Sequence, residues 1–397
     1  MSKQMWPTKK IGELFDVQLG KMLNEKAKQG VLLPYLANFN VRWGSFDLSR
    51  LNNMTFSEKE REKYSLCPGD LLMCEGGEIG RCAVWKGANE TIYFQKALHR
   101  LRSLNQDIST EFIYYYMQHI ASKGDLPKLV GETSIAHFTR EKLLCLRVPT
   151  PDPSEQTAIA SLLSTWDLAI EKSERLIASK EKQFKWLHEQ MIFAPARSDK
   201  NWKHLPISNI AERIQRKSDG DTYPILTISS ASGFVLQEEK YSRFMAGKSL
   251  DDYTLLLRGE FAYNKGNSLR YQFGCVFPLQ DYEKALVPHV YVCFKLHKNI
   301  DANFIDHVFK ADYLKAQLAT LVNTGIRNNG LLNISPANFM KVTVPVPPIE
   351  EQKQIAAILT TARQEIDLLK KQADAYRRQK RGLMQRLLTG EWRVRVG

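Results

Sequence analysis

The chain contains no apolar run near the ~18 residues that a membrane span requires, and its opening MSKQMWPTKKIGELF has no hydrophobic stretch of the signal-peptide kind. A cytoplasmic location is the expectation. Its six cysteines (Cys67, Cys74, Cys82, Cys145, Cys275 and Cys293) form no CxxC pair and have no histidine at zinc spacing. Reduced, partly buried thiols follow, with neither a metal site nor a disulfide framework. The phosphate-binding pattern GxxxxGK[ST] is missing. So is an Asn-Pro-Pro-Tyr motif of the kind a DNA-methylating enzyme carries, because the double proline Pro347-Pro348 runs on into Ile349. Spaced carboxylates for a metal-dependent nuclease reduce to a fragment, Glu238-Glu239-Lys240.

Acidic residues are also in short supply. Against 43 Asp and Glu stand 56 Lys and Arg, a net charge of +13, which favours a polyanionic partner, with nucleic acid the first candidate. At 43% hydrophobic and 10% aromatic, the 397 residues can bury real cores in two or three domains.

What is present is present twice. PTPDPSEQTAIASLL (149–163) returns as PVPPIEEQKQIAAIL (345–359), 196 residues later. Matches continue upstream: Gly69-Asp70-Leu71 with Gly259-Glu260-Phe261, and Phe112-Ile113 with Phe304-Ile305. Each half therefore reads as a globular α+β domain followed by a long helix. The expected organisation is a first domain over 1–148, a helix over 149–194, a second domain over 195–344, and a helix with its tail over 345–397. Strands are expected over 70–74, 82–85, 226–229, 261–264 and 289–296, and helices over 111–121 and 303–321.

Pro149, Pro151 and Pro153 exclude the first long helix from what precedes Ser154, and Pro345, Pro347 and Pro348 do the same before Ile349. From there Leu163, Ile170, Ile177 and Phe184 recur at heptad spacing, and Leu359, Ile366, Tyr376 and Leu383 lie on the second stripe. These eight are the candidate partner-binding residues. Lys180 and Lys380 fall on the same seams, where an ammonium must snorkel outward or leave the packing imperfect. Two seams in one chain face each other most simply as an antiparallel coiled coil with a pseudo-two-fold repeat. Such a rod would separate two DNA readers and predicts a bipartite target.

The doubled P-x-P-x-x-E-Q-x-x-I-A entry resembles the specificity subunit of type I restriction-modification systems, and so does the closing LLTGEWRV (387–394). YLANFNVRWG, YSLCPGDLLMCEGGEIGRCAVW and QKALHRLR are similar to one kind of target-recognition domain. RGEFAYNKGNS and ALVPHVYVCFK are similar to another. The resemblance implies a non-catalytic subunit that binds double-stranded DNA, two modification subunits and, through them, restriction subunits. It implies no cofactor on this chain, with S-adenosylmethionine used by the adenine methyltransferase partners. Two departures stand out: the first helix ends in MIFAPARSDKNW, with no second LLTG-like tail, and the halves are strongly diverged. The two half-sites should then differ.

Polar loops beside strands are the natural base readers. The first domain offers Lys21, Asn38, Asn40, Arg42, Glu75, Arg81, Lys96 and His137. The second offers Arg216, Lys217, Ser229, Ser230, Asn264, Lys265, Asn267, Arg270, Arg327 and Asn328. Taken singly, each reads equally well as a solvated or turn residue, and His137 also suits a cap or a core position. NKGNSLR (264–270) and GIRNNG (325–330) carry more weight as clusters. The basic run from Lys370 to Arg386 fits phosphates, acidic partner helices or plain solvation. Two rivals remain: a coiled-coil scaffold without DNA recognition, and a stand-alone endonuclease built on the acidic fragment.

Overall fold

Each half of the chain builds the same four-stranded antiparallel sheet. In the first it runs in the order Phe15–Leu19, Leu98–Ser103, Leu71–Cys74, Cys82–Val84; in the second, Ala211–Ile214, Val292–Leu296, Phe261–Asn264, Cys275–Pro278. This is a computed structural model, and it describes residues 6–22, 30–105, 107–126, 138–240, 250, 252–266, 268–322 and 332–394. Two compact units emerge, one of residues 1–174 with 371–397 and one of residues 175–370.

The central strands LLMC and FAYN lack a polar face because each sheet divides two apolar cores. In the first unit Leu71 and Met73 join the cluster that includes Ile159 and Leu163 of the long helix, while Leu72 and Cys74 turn to a second cluster around Phe94. In the second, Phe261 and Tyr263 join the cluster with Phe184, Leu359 and Ile366, and Ala262 faces one with Leu226 and Phe277. The two-residue repeat of a strand thus sends alternate side chains to different cores. Smaller sheets cover the second core: Asn52–Phe56, Val31–Leu36 and Tyr93–Phe94 in one unit, and the pairs Leu226–Ser229 with Gly233–Leu236 and Thr254–Leu257 with Lys284–Val287 in the other.

The matched acids at the start of the central strands close the turns before them. Asp70 accepts from Cys67 N (2.7 Å) and Glu260 from Leu257 N (2.8 Å). Each buried carboxylate also takes an arginine fork, but from different places: Arg102 on a neighbouring strand in the first unit, Arg216 after an outer strand in the second.

The repeated Gln of the E-Q motif explains why the helix entry occurs twice. Gln156 is fully buried; its Oε1 accepts from Ser109 N (2.8 Å), and its Nε2 donates to Asp107 O (2.9 Å) and Pro151 O (2.7 Å). Gln352 accepts from Asp301 N (2.8 Å) and donates to Pro347 O (2.8 Å). Ser109 and Asp301 are the N-caps of the helices Thr110–Ser122 and Ala302–Lys310. One side chain therefore ties the proline entry to the principal helix of its own domain. The preceding Glu differs in use: Glu351 accepts from Trp202 Nε1 (3.1 Å), whereas Glu155 takes both prongs of Arg393 (2.7 Å each), which also lies over the Trp6 ring.

The long helices are Pro153–His188 and Ile349–Leu388, the first followed by a π-helical turn, Glu189–Phe193. Pro153 is the first helical residue rather than excluded, because at that position its missing N–H has no bond to lose. Within each unit the helices pair antiparallel. Asp167 meets Lys380 and Glu174 meets Arg377 in one; Lys180 meets Glu365 and Phe184 packs under Arg363 in the other. The architecture is α+β, with two globular domains, a helix pair and an internal repeat. The helix expected over 303–321 is interrupted: Asp312 adopts φ 59° and separates Ala302–Lys310 from Lys315–Leu321. The strand expected over 289–296 begins at Val292, after Tyr291 N closes a turn on Pro288 O.

Candidate nucleic-acid interface

The hairpin that leads from a central strand to the edge strand of the sheet carries the polar clusters in each unit. It spans residues 75–81 in the first and 265–274 in the second, and both close on glycines of positive φ, Gly80 (73°) and Gly274 (88°). A Cβ on Gly274 would stand 2.4 Å from Asn264 O, so only glycine turns the chain there.

In the first unit the asparagines hold the structure rather than face outward. Asn40, 1% exposed, accepts from Ala37 N (2.9 Å) and donates to Asp47 O (2.8 Å) and Arg50 O (2.9 Å). Asn38 donates to Gly76 O (2.8 Å), and Arg81 Nη2 donates to Asn38 O (3.0 Å) and Oδ1 (2.7 Å). The 3-10 turn Asn38–Asn40 is thereby braced against the hairpin. Lys21 is the clearest correction: only 5% exposed, it donates to Thr55 O (2.5 Å) and pairs with Glu60 (2.7 Å), so a fold contact has taken its charge. Glu75 is half-buried, while Arg42 and Lys96 are exposed. His137 lies outside the described residues.

In the second unit Arg216 is committed to Glu260 and to Leu255 O (3.1 Å), which removes it from the base-reading set as an available fork. Lys217 pairs with Asp252 (3.2 Å) on an open surface. Asn264 Oδ1 accepts from Gly266 N (2.9 Å) and shapes the loop, and Lys265 O receives Leu332 N (3.1 Å). Ser229 and Ser230 are half-exposed at a turn. Arg270 is exposed, with its guanidinium 5.2 Å from the Tyr271 ring. Asn267, Arg327 and Asn328 lie outside the described residues. The sequence also could not separate Asn40, Lys21 or Arg216 from surface groups, because a buried, satisfied polar side chain is spelled like an exposed one.

Burial raises the thiols of Cys74 and Cys82, and pushes Cys275 up to about 11 and Cys293 to about 12, so these four are protonated at neutral pH. Burial likewise lowers His99, whose Nε2 lies 2.9 Å from Phe138 O. Among the described residues no group of three or more His, Cys, Asp or Glu is placed to hold a metal ion. Lys240 of the acidic fragment reaches back to Ile228 O (2.7 Å).

Of the eight seam residues expected to bind partners, four are taken up inside their own units. Leu163, Phe184, Leu359 and Ile366 are buried in the cores of their own units, and Ile170, Ile177, Tyr376 and Leu383 are half-buried, Tyr376 edge-on to Trp166. The outward apolar side chains are others: Leu162 and Leu168 in the first unit; Leu176, Trp186, Ile358 and Leu368 in the second. Much of the basic run is also occupied, with Lys370 on Glu181, Arg377 on Glu174 and Asp374, and Arg386 over Trp392.

Comparison with known proteins gives a consistent result. The family model for the type I restriction modification DNA specificity domain matches twice, over residues 3–179 and 207–375. A putative type I restriction enzyme specificity subunit of Methanocaldococcus jannaschii is 21% identical, covering 98% of this chain and 94% of its own. A putative type I specificity subunit of Mycoplasma pneumoniae is 26% identical over 70% of this chain and 83% of its own. The crystal structure of a type I restriction-modification S subunit from M. genitalium shares the fold, with a TM-score of 0.59 at 16% identity over 98% of this chain and 97% of that one. No helix among the described residues is long and apolar enough to cross a membrane.

Proposed function

Because this chain belongs to the family of type I restriction-modification DNA specificity domains, and carries that domain twice, we propose that it reads an asymmetric, bipartite duplex site, one half per globular domain. The observation that carries this reading is a shared sheet with unlike hairpins: the 75–81 and 265–274 insertions leave equivalent strands but differ in length and residues. Equivalent placement suits two readers of one duplex, and divergent loops suit two different sequences.

The paired helices set the unread gap and offer adenine methyltransferase subunits a docking surface through the outward apolar side chains, with restriction subunits joining through them. S-adenosylmethionine belongs to those partners, and this chain performs no catalysis of its own. It works in the cytoplasm, where its DNA is.

Single-molecule sequencing of adenine methylation, in cells with and without the chain, tests the reading. Methylation at a two-part, non-palindromic motif that vanishes with the chain is expected. Methylation unchanged by its loss, or DNA cleavage by the purified chain alone with magnesium, overturns it.

A further inference from the structure

Once the committed polar groups are set aside, each unit still holds one apolar side chain out from its hairpin region. In the first it is Phe39, 45% exposed at the middle of the turn Asn38–Asn40. The asparagines on either side are tied down, and Asn38 and Arg81 fasten that turn to the 75–81 hairpin. In the second it is Leu269, fully exposed at the tip of the 265–274 hairpin.

The Leu269 tip is a closed turn. Ser268 N donates to Tyr271 O (3.0 Å), and Tyr271 N donates to Ser268 Oγ (3.0 Å). Tyr271 itself is buried, its hydroxyl bonded to Lys310 O (3.3 Å), so the turn stands on a fixed base. A single exposed hydrophobic residue is ordinary. Two of them, one on the hairpin of its unit and the other on a turn that Asn38 and Arg81 pin to the equivalent hairpin, each within three residues of an exposed arginine (Arg42, Arg270), form a pattern.

We propose that Phe39 and Leu269 are apolar base contacts, one for each half of the target; the inference rests on the reading that each unit grips half a duplex site. A rigid turn keeps such a side chain from folding back onto its own domain. Base faces and thymine methyl groups are the apolar surfaces that DNA offers it, and the neighbouring arginines suit phosphates. Specificity would then come partly from shape and stacking rather than from the asparagines that the sequence brings forward.

The test uses the full chain purified with its modification subunits, the methylated duplex found by sequencing, a non-target duplex, and target duplexes altered in one half only. Leu269→Ala and Phe39→Ala should each weaken target binding by about 10- to 100-fold, leave non-target binding alone, and do so through different halves. Because no phosphate contact is lost, the slope of log Kd against log salt should not change, whereas Arg270→Ala should reduce it by about one. Leu269→Met should stay near the parent, and melting should be unaffected in all four variants. Parental affinity in both alanine variants, or equal weakening on target and non-target, overturns the inference while the bipartite reading stands. A parent complex that cannot tell target from non-target overturns both.

Discussion

The ammonium of Lys380 lies 2.6 Å from Asp167 Oδ1 on the inner side of the helix pair of the first unit, 3.0 Å from Gln118 Oε1 and 5.2 Å from the Tyr115 ring. At 7% exposure it does not snorkel. A polar seam position is therefore filled and satisfied, with Tyr115 donating to the other Asp167 oxygen (2.8 Å).

Removing either member of this pair should have unequal effects. Asp167→Ala leaves a buried ammonium short of its counter-charge and should cost on the order of 2 kcal/mol, less than a fully buried pair because Asp167 is 40% exposed on its side chain. Lys380→Met leaves a carboxylate that water can reach and should cost under about 1 kcal/mol. Urea unfolding of the four members of a double-mutant cycle measures both and their coupling.

Gln156→Ala should destabilise more than Gln352→Ala. The first strands three hydrogen-bonding groups beneath a buried side chain and the second strands two. At about 1 kcal/mol per bond, losses of roughly 3 and 2 kcal/mol are expected in denaturant titrations.

Acid should weaken the second unit through two histidines. Burial holds His307 down to about 3 from its ordinary 6.5, helped by His188, Lys310 and Arg363, and burial also lowers His188. The unfolded chain protonates His307 near pH 6.5, whereas the folded unit refuses that proton until about pH 3, and His188 acts in the same direction. Stability is thus intact above 6.5 and falls on acidification, by up to about 1.4 kcal/mol per pH unit for His307. His307→Gln should flatten that fall between pH 6.5 and 4, read by thermal melting across the range.

Trp186→Ala and Phe184→Ala should separate docking from folding. Trp186 is 58% exposed, so its loss should lower affinity for a modification subunit at least about tenfold with little change in melting. Phe184 is buried under the Arg363 guanidinium, and its loss should cost about 3 kcal/mol or more in stability. Calorimetric titration beside a melting curve distinguishes them.

Much of the architecture was written in the sequence because it is written twice. The Pro-rich entry, the GDL and GEF turns and the heptad stripes mark elements whose backbone needs are local, and strands 226–229 and 261–264 fall where their apolar runs place them. Harder to read was the use of each polar group. Asp70 and Glu260 hold the same place, yet one arginine comes from a neighbouring strand and the other from the loop after an outer strand, and that choice is tertiary. Lys21, Asn40 and Arg216 carry the right donors for DNA but spend them on Glu60, Asp47 and Glu260. Phe39 and Leu269 gave no signal at all, since nothing in a sequence marks which loop hydrophobics stay exposed.

The Arg393–Glu155 clasp and the burial of Met384, Leu387 and Leu388 alongside Ile11 and Phe112 have a consequence for synthesis. A ribosome delivers the amino-terminal module long before it delivers residues 371–394, so that module waits as a nascent, unfinished body while the later one is translated and can close around its own contiguous stretch. A stop codon late in the message, or a proteolytic nick just before residue 371, would therefore injure the earliest part of the product first.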